Sequence, residues 1–211
     1  MRILVVTAVA AERDAVVAGR ADFAPVRGLP YGAVSDGRVV VAAGGVGPVA
    51  AAVATARLIA LGQFALVISA GIGGAFDGRA VIGDVVAATE SRFADLGADT
   101  DEGFLHVTDL GFPGGAPLRA ATVDLPLTGP VLTLATMTGT ETAAAALCAA
   151  HPDALAEAME GYGVAWAATE HGLPWAEVRA VSNLIGRREK SMWDIPRAFA
   201  ALGKAMDVVT R

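Results

Sequence analysis

The sequence predicts an α/β fold, a three-layer α/β/α sandwich with a central twisted mixed sheet. Three observations lead there. Strand-like and helix-like runs alternate along most of the chain, as they do in α/β architecture. Runs such as LVI and VVVAA are continuously apolar, the mark of strands buried on both faces. The composition agrees: 54% of residues are hydrophobic and only 18% charged, enough to cover a sheet on both sides and leave apolar surface for a subunit contact. With 211 residues, a single domain over residues 1–211 is expected.

The elements follow in order. Strands are expected at Ile3 to Val9, Val39 to Ala43, Leu66 to Ala70, Val85 to Thr89, Val131 to Thr136 and Val178 to Ser182. Helices are expected at Ala11 to Gly19, Pro48 to Leu61, Glu141 to Ala150, Val164 to Gly172 and Asp194 to Val209. Pro48 suits a first helical turn, where its missing N–H costs nothing. From Phe93 to Pro130 the alternation fails, and glycines and prolines such as Gly97, Gly103, Gly111, Pro113 and Pro117 crowd in. An irregular excursion that long is usually functional. It is expected to hold a few short strands near the mouth of a site.

Charge and cysteine content narrow the function classes. The net charge is −6 and the isoelectric point is near 5.0. No broad positive field exists to attract nucleic acid or an anionic membrane, so neither partner is expected. The one basic cluster, Arg187-Arg188-Glu189-Lys190, reads as a solvated turn. A single cysteine, Cys148, builds no disulfide framework and fits a cytoplasmic protein. The opening MRILVVTAVAAERD imitates a signal peptide, but Glu12, Arg13 and Asp14 follow the short apolar run at once. A strand leading into a helix explains it better. No apolar stretch approaches the ~18 residues of a membrane span.

Several short motifs sit where strands end. Gly45-Val46-Gly47-Pro48-Val49-Ala50 matches G-x-G-x-x-A, yet the next strand offers no acid for a ribose. A tight turn and a nearby phosphate or ribose both remain readings of it. Gly71, Gly73 and Gly74 follow a buried strand, so they permit either close ligand approach or chain reversal. Glu12 follows the first strand, where attraction to a helix start alone would justify an acid. Met159-Glu160 precedes an apolar helix. Asn183 ends the strand VRAVS; Asn is frequent in turns, but its amide also offers donor and acceptor side by side. His106, His151 and His171 lack metal-ligand spacing, and no serine elbow or Walker loop is present.

Taken in order, strand–Glu12, GGVGPVAAA, SAGIGGAF, AMEG and VRAVSN resemble the purine nucleoside phosphorylase and nucleosidase superfamily. The methylthioadenosine/adenosylhomocysteine nucleosidase branch is the nearest part of it. The stretches AGIGGAF, ADLGADTDEGF, MEGYGVA and RAVSNLIGRREKSMWDIP are most similar to the futalosine hydrolases of the alternative menaquinone pathway. The resemblance covers essentially the whole chain.

The resemblance implies a role for each matching residue. Glu12 stands where the nucleosidases activate the attacking water. Met159 and Glu160 match the pair that grips the ribose, and Arg179 matches an arginine beside that water. Gly73 and Gly74 match the backbone turn near the base, and Trp193 falls where relatives place a Phe beside the 5′ substituent. Asn183 replaces an Asp that contacts adenine. Because an amide can donate to O6 and accept from a protonated N7, Asn183 argues for a 6-oxopurine leaving group, hypoxanthine.

The implied activity is hydrolysis of the futalosine N-ribosidic bond, yielding hypoxanthine and dehypoxanthine futalosine. A 6-oxopurine nucleoside phosphorylase, using Arg79 and Arg92, and a methylthioadenosine nucleosidase are the alternatives. No metal or organic cofactor is implied. A homo-oligomer, dimer or tetramer, is expected. A base-stacking aromatic is absent from Met137–Thr142, where the nucleosidases carry one.

Overall fold

A computed structural model describes residues 2–112 and 114–211; Met1 and Pro113 lie outside the described residues. The first half runs β1 (Ile3–Thr7), α1 (Ala10–Val16), β2 (Ala24–Pro25), β3 (Val34–Ser35), β4 (Val39–Ala43), α2 (Pro48–Leu61), β5 (Leu66–Ala75) and β6 (Val85–Phe93). The second half runs β7 (Gly97–Thr100), β8 (Gly103–His106), β9 (Leu118–Arg119), β10 (Leu127–Thr133), α3 (Glu141–Ala150), β11 (Ala156–Ala158), α4 (Gly161–Glu170), β12 (Trp175–Leu184) and α5 (Ile195–Val209).

The central sheet is mixed, in the order β11-β10-β6-β12-β5-β1-β4-β3-β2, with β9 added against β6. Strands β1, β4, β5 and β12 are parallel neighbours, whereas β12 meets β6 antiparallel. Side chains on these strands divide strictly by parity. Val5, Val41, Ile68 and Val178 point into one core with Val16 of α1 and Leu202 and Met206 of α5. Leu4, Val6, Val40 and Val67 point into the other, with Leu58 of α2 and Val164 of α4. Both faces being covered is why the strands read as unbroken apolar runs.

The far end of β5 also pairs antiparallel with β11, Gly74 facing Glu157 and Ala75 facing Ala156. Strands β5, β12, β6, β10 and β11 therefore close into a ring, filled by small side chains such as Ala75, Ala88, Val131 and Val181.

Several boundaries differ from expectation, for local reasons. Strand β5 does not stop at Ala70 but carries the glycines Gly71, Gly73 and Gly74 within it, each pressed against another chain segment. Helix α4 starts at Gly161 instead of Val164, because two poor helix formers are held there by packing: Gly163 lies against the Pro48 carbonyl and Gly161 against the Glu177 carboxyl. The excursion after Phe93 contains the hairpin β7–β8 and the short β9, while the expected strand at Val131 begins earlier, at Leu127.

Candidate functional site

The site forms at a gap in one edge of β5. Strand β1 pairs with β5 only from Leu66 to Ser69, and β11 takes over at Gly74. Between them the Ile72 N–H donates to Glu12 Oε1 at 2.9 Å. Glu12 reaches this gap because α1 begins three residues after β1. Its Oε2 turns back to accept from the N–H groups of Ala8 (2.9 Å) and Val9 (3.3 Å), the acid's half of a capping box. Only 4% of Glu12 is exposed. Burial raises its pKa above the ordinary carboxylate value, and Glu160 adds to that, against the opposing pull of the Ile72 N–H and of Arg179.

Arg179 is fully buried on β12 and its guanidinium is engaged on every edge. Nε donates to Glu177 Oε1 (2.9 Å), Nη1 to Glu160 Oε2 (3.3 Å) and Nη2 to Ser69 Oγ (2.7 Å). Burial works against its charge, but Glu177, Glu160 and Glu12 outweigh that and hold it more firmly cationic than usual. Glu160, at the N-cap of α4, also accepts from the Gly47 N–H at 3.2 Å. This explains the G-x-G-x-x-A turn: Gly47 has φ +91° and aims its N–H at a carboxylate instead of a phosphate. Gly71 lets the groups converge, since a Cβ there would lie 2.6 Å from Glu12 Oε1 and 2.7 Å from Arg179 Nη1. Met159 is half-buried next to Glu160.

Asn183 belongs to a second group. The β12–β5 register slips by one residue between Val181 and Asn183. The next glycines on β5 consequently serve different groups: Gly73 faces the Arg179 Cβ, and Gly74 faces Asn183 Nδ2 at 3.2 Å from a notional Cβ. Asn183 Oδ1 accepts from the Ser182 hydroxyl (2.8 Å) and Nδ2 donates to the Leu184 carbonyl (3.0 Å). It lines a cavity of about 300 Å³ with Trp193, Arg187, Glu141, Ile185 and Asp77. Arg188 stacks over Trp193 at 4.9 Å. The structure thus joins Glu12, Glu160, Arg179 and Gly73 in one buried cluster and Asn183, Gly74 and Trp193 at an adjoining, more open edge.

Two carboxyls escaped the sequence reading. Glu177 is fully buried beside Arg179; the signal was present as an acid two residues before the arginine in an otherwise apolar strand. Glu157 is 6% exposed and accepts from the Thr138 N–H (3.0 Å) and hydroxyl (2.5 Å), tying the 135–140 segment to β11. The arginines considered for phosphate are committed elsewhere. Arg79 donates to the carbonyls of His151 and Ala154, and Arg92 pairs with Glu90 and Asp153. Among the described residues no group of three or more His, Cys, Asp or Glu side chains is arranged to hold a metal. Nor, among the described residues, is any helix long and apolar enough to cross a membrane.

A mixed α/β sheet with a buried acid–arginine cluster at a strand gap defines a class, and comparison places the chain in it. The chain belongs to the phosphorylase superfamily, whose family model matches residues 5–209. It is 46% identical to the futalosine hydrolase of Streptomyces coelicolor, over 98% of this chain and 94% of that protein. It is 43% identical to the futalosine hydrolase of Acidothermus cellulolyticus, over 96% and 90%. In structure it resembles a 5′-methylthioadenosine/S-adenosylhomocysteine nucleosidase from S. pneumoniae, with a TM-score of 0.84 over 100% of this chain and 98% of that one, at 22% identity.

Proposed function

We propose that the chain is a futalosine hydrolase, cleaving the N-ribosidic bond to release hypoxanthine and dehypoxanthine futalosine within menaquinone biosynthesis. The observation that carries the mechanism is the convergence of Glu12 and Glu160 on one buried guanidinium, with an amide and not a carboxylate at position 183.

The bond from the anomeric carbon to the purine nitrogen breaks, and a water oxygen bonds to that carbon. Glu12 takes the proton that water loses; a positioned base of this kind contributes about 10²–10⁴-fold. Its raised pKa makes it a better proton acceptor than an ordinary carboxylate. Glu160, with Met159 beside it, holds the ribose hydroxyls. The cluster sets three carboxylates, Glu12, Glu160 and Glu177, against the single charge of Arg179. That excess of negative charge favours the cationic sugar of the transition state over the neutral substrate. The C–N electron pair leaves with the base, whose N7 takes a proton from solvent; Asn183 donates to its O6 and accepts from the N7–H, while Gly73 and Gly74 leave room beside it. Trp193 and Arg187 flank the 5′ side. No cofactor takes part.

The test is an assay of futalosine beside inosine and methylthioadenosine, with and without phosphate. Hypoxanthine release from futalosine, independent of phosphate and with free sugar as product, is expected. Phosphate-dependent turnover giving a sugar 1-phosphate would replace this reading with phosphorolysis.

The protein acts in the cytoplasm as a homo-oligomer. Val46, Val49 and Val53 are 56%, 75% and 59% exposed at the start of α2, next to the turn that holds Glu160. An apolar patch of that kind marks an association surface, and a second copy is the partner we assign to it. Light scattering should give a dimer or tetramer mass.

A further inference from the structure

The proposed reaction asks of Glu177 only its negative charge, yet it is the more costly acid to bury. It is 0% exposed and is the third residue of a ten-residue strand. Period-two geometry puts it on the same face as Arg179, and its register partner on β5 is Ser69, which binds the opposite edge of the same guanidinium. Its Oε1 accepts from Arg179 Nε. Among the described residues its Oε2 has no hydrogen-bond partner; the Ser91 hydroxyl, approaching from β6, pairs with Thr133 Oγ1 at 3.2 Å. The carboxyl rests against Gly161, where a side chain would collide with both of its oxygens. Two elements are therefore shaped around this one acid.

We infer that Glu177 is a positioning residue for the hydrolysis: it grips Arg179 by Nε, and so fixes both the aim of Nη1 at Glu160 and the share of positive charge that reaches Glu12. An arginine fork has a fixed geometry. Anchored at Nε by Glu177 and at Nη2 by Ser69, it leaves Nη1 directed at Glu160 and at the gap beside Gly71. The charged groups facing Glu177 are Arg179 from its own strand and Glu160 from the start of α4; Glu12 from α1 faces the same guanidinium. The neighbours from β5, β6 and β10 are the neutral hydroxyls of Ser69, Ser91 and Thr133. Removing the negative charge at 177 leaves more of the arginine's charge for Glu12 and Glu160. Glu12 then ionises at lower pH.

The inference rests on the hydrolase reading, and the experiment separates the two. Futalosine hydrolysis is followed against pH for the wild type, Glu177→Gln and Glu177→Ala. Glu177→Gln keeps an acceptor for Nε and removes the charge; its acid limb in kcat/KM should move to lower pH, with a loss of no more than about tenfold. Glu177→Ala leaves Nε unpaired, and kcat should fall by about 10²-fold or more with a smaller change in KM. An acid limb in Glu177→Gln superimposed on the wild type overturns the inference. Absence of turnover in the wild type instead overturns the hydrolase reading. A second readout needs no substrate: the Arg179 Nε–H, assigned by NMR, should exchange with solvent at least about tenfold faster in Glu177→Ala than in wild type. Equal exchange in the two proteins removes the grip assigned to Glu177.

Discussion

The two halves of the site are built by opposite means. In the buried half, to which the proposed function assigns ribose and water, Glu12, Glu160, Glu177 and Arg179 are each under 8% exposed and held by hydrogen bonds from strands or helix starts. In the open half, to which the proposed function assigns the base, Asn183 is half-buried near the end of β12, and the segment after it is clipped to the start of α3 and the loop before it: the Arg188 N–H donates to the Gly139 carbonyl and the Arg187 N–H to Glu141. Groups that must meet developing charge gain from a dry, preorganised setting. Groups that choose a substrate can sit on loops, where substitution disturbs little else. The proposed function thus lodges bond cleavage in the sheet and selectivity in its rim.

The comparison can be broken most sharply at Glu12. Glu12→Gln should lower kcat by about 10²–10⁴-fold in the futalosine assay while circular dichroism stays unchanged. Gly71→Ala tests preorganisation without removing a charged group. The added methyl would press on both Glu12 and Arg179, so kcat should fall by about 10²-fold. On the rim, Asn183→Asp should move the preference between 6-oxo and 6-amino nucleosides by at least about tenfold in favour of the amino substrate. An unchanged ratio would remove selectivity from that edge.

A smaller effect concerns pH. Burial raises the pKa of Glu12, Glu157 and Glu177 above the ordinary carboxylate value. Between the ordinary and the raised values the folded state binds more protons than the unfolded chain. Stability from these groups therefore increases as pH falls through that window, while Glu12 loses its capacity to accept a proton. The melting temperature should rise as kcat/KM declines on mild acidification. Asp153, held at about 2 by Arg92, acts the other way, and only at more acid pH.

Much of this was legible in the sequence, unevenly. Parity-blind apolar runs marked the buried strands, and Glu12, Glu160 and Arg179, which the structure brings together, each stood out by position. What escaped was set by tertiary contact. AGIGGA reads as lying past the strand end, open to ligand approach or chain reversal, because glycine is a poor strand former; yet inside β5 its glycines admit neighbouring groups. Strand β11 is three residues long and is defined by its partners, not by its own pattern. Ser182 carries no mark of the register slip that turns Asn183 toward a different group from Arg179. Glu177 was visible as a charge, but nothing local says that it shares its arginine with two other acids.

The gap in the β5 edge has one more consequence. The Ile72 amide, which in a continuous ladder would be bound to a neighbouring strand, is bound instead to Glu12. Its nitrogen and proton frequencies should therefore titrate with that carboxyl. A single backbone resonance becomes a native gauge of the ionisation state of Glu12, readable in an idle enzyme with no ligand added.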